Sequence, residues 1–116
     1  MTLRDAILAS EDIKGELVEV PEWDATIEMR TITAAQRARL FDAATGEDGH
    51  VVTDKLYSLI IVMTSFDPDT GERVFDESDA AAIADKSAKV VSRVADVAMR
   101  LSGLTDSAVD EEGKAS

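Results

Sequence analysis

Residues 16–40 read Glu16-Leu17-Val18-Glu19-Val20-Pro21-Glu22-Trp23-Asp24-Ala25-Thr26-Ile27-Glu28-Met29-Arg30-Thr31-Ile32-Thr33-Ala34-Ala35-Gln36-Arg37-Ala38-Arg39-Leu40, and this stretch decides the fold. Val18 and Val20 fall on one face, as do Ala25, Ile27 and Met29, which is the two-residue period of a half-buried strand. Glu19, Thr26, Glu28 and Arg30 then face water. Pro21 carries the φ wanted at the second position of a turn, and polar Glu22 and Asp24 bracket Trp23, so the two strands form a tight hairpin. A helix follows at once. In Thr33-Ala34-Ala35-Gln36 the threonine hydroxyl accepts from the Gln36 amide while the Gln36 side chain reaches back to the Thr33 amide, a reciprocal capping box. Leu40, Phe41 and Ala44 form the buried stripe of that helix.

Before the hairpin, Leu3, Ile7 and Leu8 lie at helical spacing, which predicts a short first helix ending before Gly15 and packed on the hairpin. After the capped helix, Thr45-Gly46-Glu47-Asp48-Gly49-His50 collects turn formers and charge and reads as a mobile surface loop. Thr53 is placed to cap a third helix, in which Leu56, Tyr57, Ile60, Ile61 and Met63 cover more than half the circumference, as in a central core helix. The run Leu59-Ile60-Ile61-Val62-Met63 is β-branched enough for a strand, but Asp54, Lys55 and Ser58 extend the helical pattern ahead of it.

Asp67-Pro68-Asp69-Thr70-Gly71-Glu72 reads as a turn with Gly71 at positive φ, and Arg73-Val74-Phe75 as a brief extended piece. Asp76 or Ser78 caps the next helix, whose apolar body is Ala80, Ala81, Ala82 and Ile83, and Lys86-Ser87 marks a break. In the last helix Val90, Val94, Val97, Ala98 and Leu101 share one stripe, with Lys89, Arg93, Asp96 and Arg100 off it and Gly103 as its stop. The fold class expected is α+β, mainly α: a short N-terminal helix, one small β-hairpin, three to four packed helices and a disordered acidic C-terminal tail. Residues 1–104 form one globular domain. Residues 105–116 form the tail, at a net −3 with hardly any apolar residue, too polar to offset the entropy of ordering.

With 116 residues and 4% aromatics, the core rests on Val, Ile, Leu, Met and Ala. A net charge of −12 opposes nucleic acid or an anionic membrane as partner, since phosphate affinity comes from clustered Lys and Arg. Basic or apolar proteins fit better. The chain has no cysteine, hence no disulfide, thiolate metal site or cysteine nucleophile. The start, Met1-Thr2-Leu3-Arg4-Asp5-Ala6-Ile7-Leu8, is too short and charged for a signal peptide, and the longest apolar run, of Leu59 to Met63, is too short to span a bilayer. A soluble intracellular protein is expected.

Asp67, Asp69 and Gly71 resemble the start of a calcium loop, but the sixth and twelfth positions hold Glu72 and Ser78 instead of glycine and a bidentate carboxylate. A solvated turn explains them. Asp76-Glu77-Ser78-Asp79 concentrates carboxylates where the helix dipole favours them. His50, the only histidine, sits in an acidic loop with no pocket to tune a general base. Trp23 at the hairpin tip either folds over the core or stands out as an interaction anchor. The stripe of the last helix is core in the simplest account, yet part of it is a candidate surface for a partner helix. Trp23, Tyr57, Ile61, Val90, Val94, Val97 and Leu101 are the candidate partner-binding residues. There is no Ser-His-Asp set, no Gly-rich phosphate loop and no metal-ligand spacing, so no enzyme, metal or cofactor is expected.

Leu3-Arg4-Asp5-Ala6-Ile7-Leu8, Val18-Glu19-Val20-Pro21-Glu22-Trp23, Ile32-Thr33-Ala34-Ala35-Gln36-Arg37 and Val97-Ala98-Met99-Arg100-Leu101-Ser102-Gly103-Leu104 together resemble the tail assembly chaperones of long, non-contractile-tailed bacteriophages. The stretch from Asp67 to Phe75 also fits the turn with a following Phe that these proteins carry. The resemblance spans most of the chain and rests on patterns of packing. It implies a protein of the host cytoplasm that binds the tape measure protein, keeps it soluble, helps recruit tail tube subunits and is absent from the finished particle. Self-association is compatible with the apolar helices. The resemblance also implies a longer form made by ribosomal frameshifting, for which Gly113-Lys114 is compatible with a slippery heptamer. The competing reading is a structural head-tail connector or tail-completion protein retained in the virion, and a host-directed regulator is a third.

Overall fold

The computed structural model describes residues 2–104. Its elements run α1 (Leu3–Ala9), β1 (Gly15–Val20), β2 (Ala25–Arg30), α2 (Ala34–Ala44), α3 (Thr53–Thr64), β3 (Ser65–Phe66), α4 (Ala80–Ala84) and α5 (Ala88–Leu101), with single 3-10 turns at Pro21–Trp23 and Glu77–Asp79. β1 and β2 pair antiparallel in register from Gly15 opposite Arg30 to Val20 opposite Ala25. Val20, Ile27 and Met29 are buried beneath them, as the alternation requires, whereas Ala25 at the hairpin tip is exposed. The connection is a 3-10 turn with Pro21 in its first position, closed by the Asp24 amide donating to the Pro21 carbonyl at 3.0 Å. Asp24 takes φ 50°, a left-handed conformation that aspartate tolerates better than most residues.

The sheet has a third strand that the alternation of the sequence did not announce. β3 follows α3 without a break and pairs antiparallel with β2, Glu28 opposite Phe66 and Met29 opposite Ser65, in the order β1-β2-β3. Its two residues are too few to show a period. The turn after it is closed by the Asp67 amide on the Glu72 carbonyl at 2.8 Å, with Gly71 at φ 75° as expected, and Arg73 bridges back to Phe66.

α2 begins on the expected capping box: the Gln36 amide donates to Thr33 Oγ1 at 3.1 Å and the Thr33 amide to Gln36 Oε1 at 2.9 Å. Leu40, Phe41 and Ala44 are its buried residues. α3 is the central helix, packed by α2, α4, α5 and β2, and Leu59 to Met63 lie within it as helix. A helix buried nearly all round must satisfy its hydroxyls internally. Ser58 and Thr64 donate to the carbonyls four residues back, Asp54 and Ile60, at 2.8 and 2.6 Å, and Ser65 does the same to Ile61 at 2.6 Å. Thr53 does not cap α3. Thr45 bridges to Val51 and the Val52 amide donates to the Ala44 carbonyl at 2.8 Å, which keeps the chain extended to Val52 and makes Thr53 the first helical residue. The same bridge closes the intervening loop, in which the Gly46 amide donates to the His50 carbonyl at 2.8 Å.

Asp76 begins the next turn, its amide donating to Asp79 Oδ2 at 2.9 Å, and α4 ends before the break at Lys86 and Ser87. α5 buries Val90, Val91, Val94, Ala95, Ala98 and Met99. It ends in a Schellman motif, the Leu104 amide on Met99 O at 2.8 Å and the Gly103 amide on Arg100 O at 3.2 Å, with Gly103 at φ 72° and Leu104 buried. α1 forms where the spacing put it but does not pack on the hairpin. None of its residues is buried, and Leu3, Ile7 and Leu8 are 78%, 60% and 68% exposed. It is held by its own capping box, the Asp5 amide on Thr2 Oγ1 at 3.1 Å and the Thr2 amide on Asp5 Oδ2 at 3.3 Å. Residues 105–116, including the expected acidic tail and Gly113-Lys114, lie outside the described residues.

Candidate functional site

A groove of about 1030 Å³ opens between the tip of the hairpin and the loop that follows β3, with α4 closing one end. The turn at Pro21 lifts Trp23 to its edge. Trp23 and Phe75 are half-buried and rest on the core, Ile27 and Ile83 form the floor, and Leu17 and Val74 stand 63% and 45% exposed. Leu17 faces outward because it has the opposite parity to Val18 and Val20 on β1. Glu22, Asp24, Asp67 and Asp69 also line the groove, with Lys86 as the cation among its described lining residues.

These carboxylates are not equivalent. Glu22 is clamped by Arg93 of α5, whose two terminal nitrogens reach its oxygens at 2.6 and 2.8 Å, a bidentate pair that fixes the tip against the helix. Arg93 and a backbone hydrogen bond hold the Glu22 carboxyl down at about 2, and the Arg93 guanidinium is pushed up in turn. Arg100 ties α5 to β1 through Glu16 at 2.7 Å, so two arginines set off the apolar stripe lash the helix to the hairpin. Asp67 Oδ1 accepts from the Asp69 amide at 2.8 Å, which makes it a turn-forming group in place of a calcium ligand. Among the described residues no three His, Asp or Glu side chains gather as metal ligands. His50 is exposed, and the Asp48 carboxylate accepts from its backbone amide at 3.0 Å.

The seven sequence candidates divide by depth. Trp23 lines the large groove, and Tyr57, half-buried, lines a second cavity of about 380 Å³ between α3 and the start of α5. Val97 and Leu101 are half-buried at the end of α5, where the Leu101 carbonyl accepts from Thr31 Oγ1 at 3.3 Å. Ile61, Val90 and Val94 are core residues, with 0%, 5% and 0% exposure, and a partner reaches them only if the fold opens. The groove is also lined by Leu17, Val74 and Phe75, which are not among the sequence candidates. The parity of Leu17 on β1, an apolar side chain directed to solvent, was the signal available for it.

An open apolar groove rimmed by carboxylates, on a domain held together by helix packing and surface ion pairs, is suited to holding another polypeptide. The phage tail assembly chaperone family matches residues 2–114, and the chain belongs to that family. The fold is similar to that of a solved structure described as bacteriophage HK97 tail assembly chaperone, at a TM-score of 0.60 and 19% identity over 90% of this chain and 96% of that one. No curated protein sequence matches. No helix among the described residues is long and apolar enough to cross a membrane.

Proposed function

We propose that this tail assembly chaperone binds the tape measure protein in the infected host's cytoplasm, keeps it soluble and helps recruit tail tube subunits, without catalysis and without remaining in the virion. The observation that carries this reading is apolar surface left uncovered on a strongly acidic body. Leu3, Ile7, Leu8, Ile13, Leu17 and Val74 are all exposed in a chain of net charge −12. Uncovered apolar side chains shelter those of a client, while the charge keeps the complex from associating further. Trp23, Tyr57, Val97 and Leu101 are the sequence candidates that a client meets at the surface. Ile61, Val90 and Val94 support them from below. The same apolar surface serves self-association when no client is present.

The test is aggregation of a segment of the cognate tape measure protein, followed by light scattering. Suppression at stoichiometric chaperone, with co-purification of the two, supports the reading. Unchanged aggregation at excess chaperone and no co-purification contradict it. Purified virions provide the second arm. A chaperone is missing from them, whereas a connector or completion subunit is present in fixed copy number.

A further inference from the structure

We infer that the groove beneath Trp23 takes an apolar segment flanked by lysine or arginine, and that its acidic rim selects that charge. This rests on the client-binding reading and gives it a place and a chemistry. The apolar part is built for contact: Trp23 and Phe75 are aromatic side chains backed by the core, and Leu17 and Val74 are exposed members of the same lining. Aromatic anchors of this kind concentrate binding energy when a partner excludes water from them.

Charge decides between occupants. Glu22 is neutralised by Arg93, whereas no ion pair among the described residues involves Asp24, Asp67 or Asp69, and Lys86 alone offsets them among the described lining residues. A segment with cationic ends is therefore attracted, and one with anionic ends is repelled. The unpartnered α1 of a second copy is the obvious competitor, since its Leu3, Ile7 and Leu8 also lack cover. Residues 2–14 carry Arg4 and Lys14 against Asp5, Glu11 and Asp12, a net −1 that the rim disfavours. A client with basic flanks fits better than this chain's own arm.

Trp23 is the chain's single tryptophan, so its fluorescence reports the groove directly. The probes are a Trp-free Leu/Ala peptide of about 15 residues, long enough for marginal helix, with lysine pairs at both ends, its glutamate-ended counterpart, and residues 2–14 of this chain. We expect the lysine-ended peptide alone to shift Trp23 emission saturably. Raising salt from about 0.05 to 0.5 M should weaken it several-fold, as screened exposed charges require. Asp24→Asn with Asp69→Asn should weaken it about fivefold, since asparagine keeps the turn at Asp24 and removes only charge. Leu17→Ser, which removes apolar contact without adding charge, should weaken the shift several-fold with an unchanged thermal melt, because Leu17 is exposed and its loss costs the fold little. Equal binding of the glutamate-ended peptide, tighter binding of residues 2–14, or no peptide-dependent shift each overturns the inference. Light scattering of the tape measure segment on the same preparations separates the two failures. Wild-type suppression without peptide selectivity removes the groove and leaves the chaperone reading, whereas selective peptide binding without suppression does the reverse.

Discussion

α1 and α5 have the same kind of sequence and opposite fates. Both carry apolar residues at helical spacing with well-formed ends, a capping box on α1 and a Schellman motif on α5. α5 buries six residues and is lashed to the hairpin by Arg93 and Arg100, while α1 buries none. Periodicity forms a helix's face, but only a partner within reach buries it. α1 is seven residues long and separated from β1 by residues 10–14, which form no regular element, so its face is left to whatever else the protein meets. The contrast divides the molecule into a part that folds and a part that offers surface.

The largest effect expected belongs to the folding part. Ile61→Ala, on α3 and fully buried, should cost about 2–5 kcal/mol in chemical denaturation, and a cost near zero would return Ile61 to the surface. Thr33→Ala removes one half of the α2 capping box and should cost about 1 kcal/mol. Arg93→Ala should raise the Glu22 pKa from about 2 toward the ordinary 4.5, with the remaining backbone hydrogen bond holding it below that value, read by carboxyl NMR. Because the folded pKa is the lower one, the pair stabilises above pH 4.5 and that contribution fades as pH falls through about 2. The stability difference between wild type and variant should shrink across that window. The smallest effect is at α1: Ile7→Ser should change stability by no more than about 0.5 kcal/mol while weakening suppression of tape measure aggregation.

Much of this fold was legible in residues 16–40. The strand alternation, the turn at Pro21 and the Thr33–Gln36 box are local devices, each decided by a few neighbouring side chains. The stripe of α5 was equally plain. What failed depended on distant contacts. β3 needs β2 beside it to be a strand, and Thr53 lost its cap role to a bridge between Thr45 and Val51. Burial of α1 was inferred from its own pattern, which says nothing about reach. The candidate site was half legible: Trp23 stands out as a lone aromatic at a tip, but Val74 and Phe75, which line the groove with it, are brought there by the turn closed on Gly71. Ile61, Val90 and Val94 are candidates by hydrophobicity, the same property that places them in the core.

Hydrogen exchange of the chain with and without its tape measure segment tests the division between these two parts most directly. Slowed exchange at α1, the hairpin tip around Trp23 and the loop around Val74, with the amides of the core residues Ile61, Val90 and Val94 unchanged, is the result expected of a client held on uncovered surface. Faster exchange at Ile61, Val90 and Val94, with α1 and the groove unaffected, would contradict it and show that the client enters by opening the core.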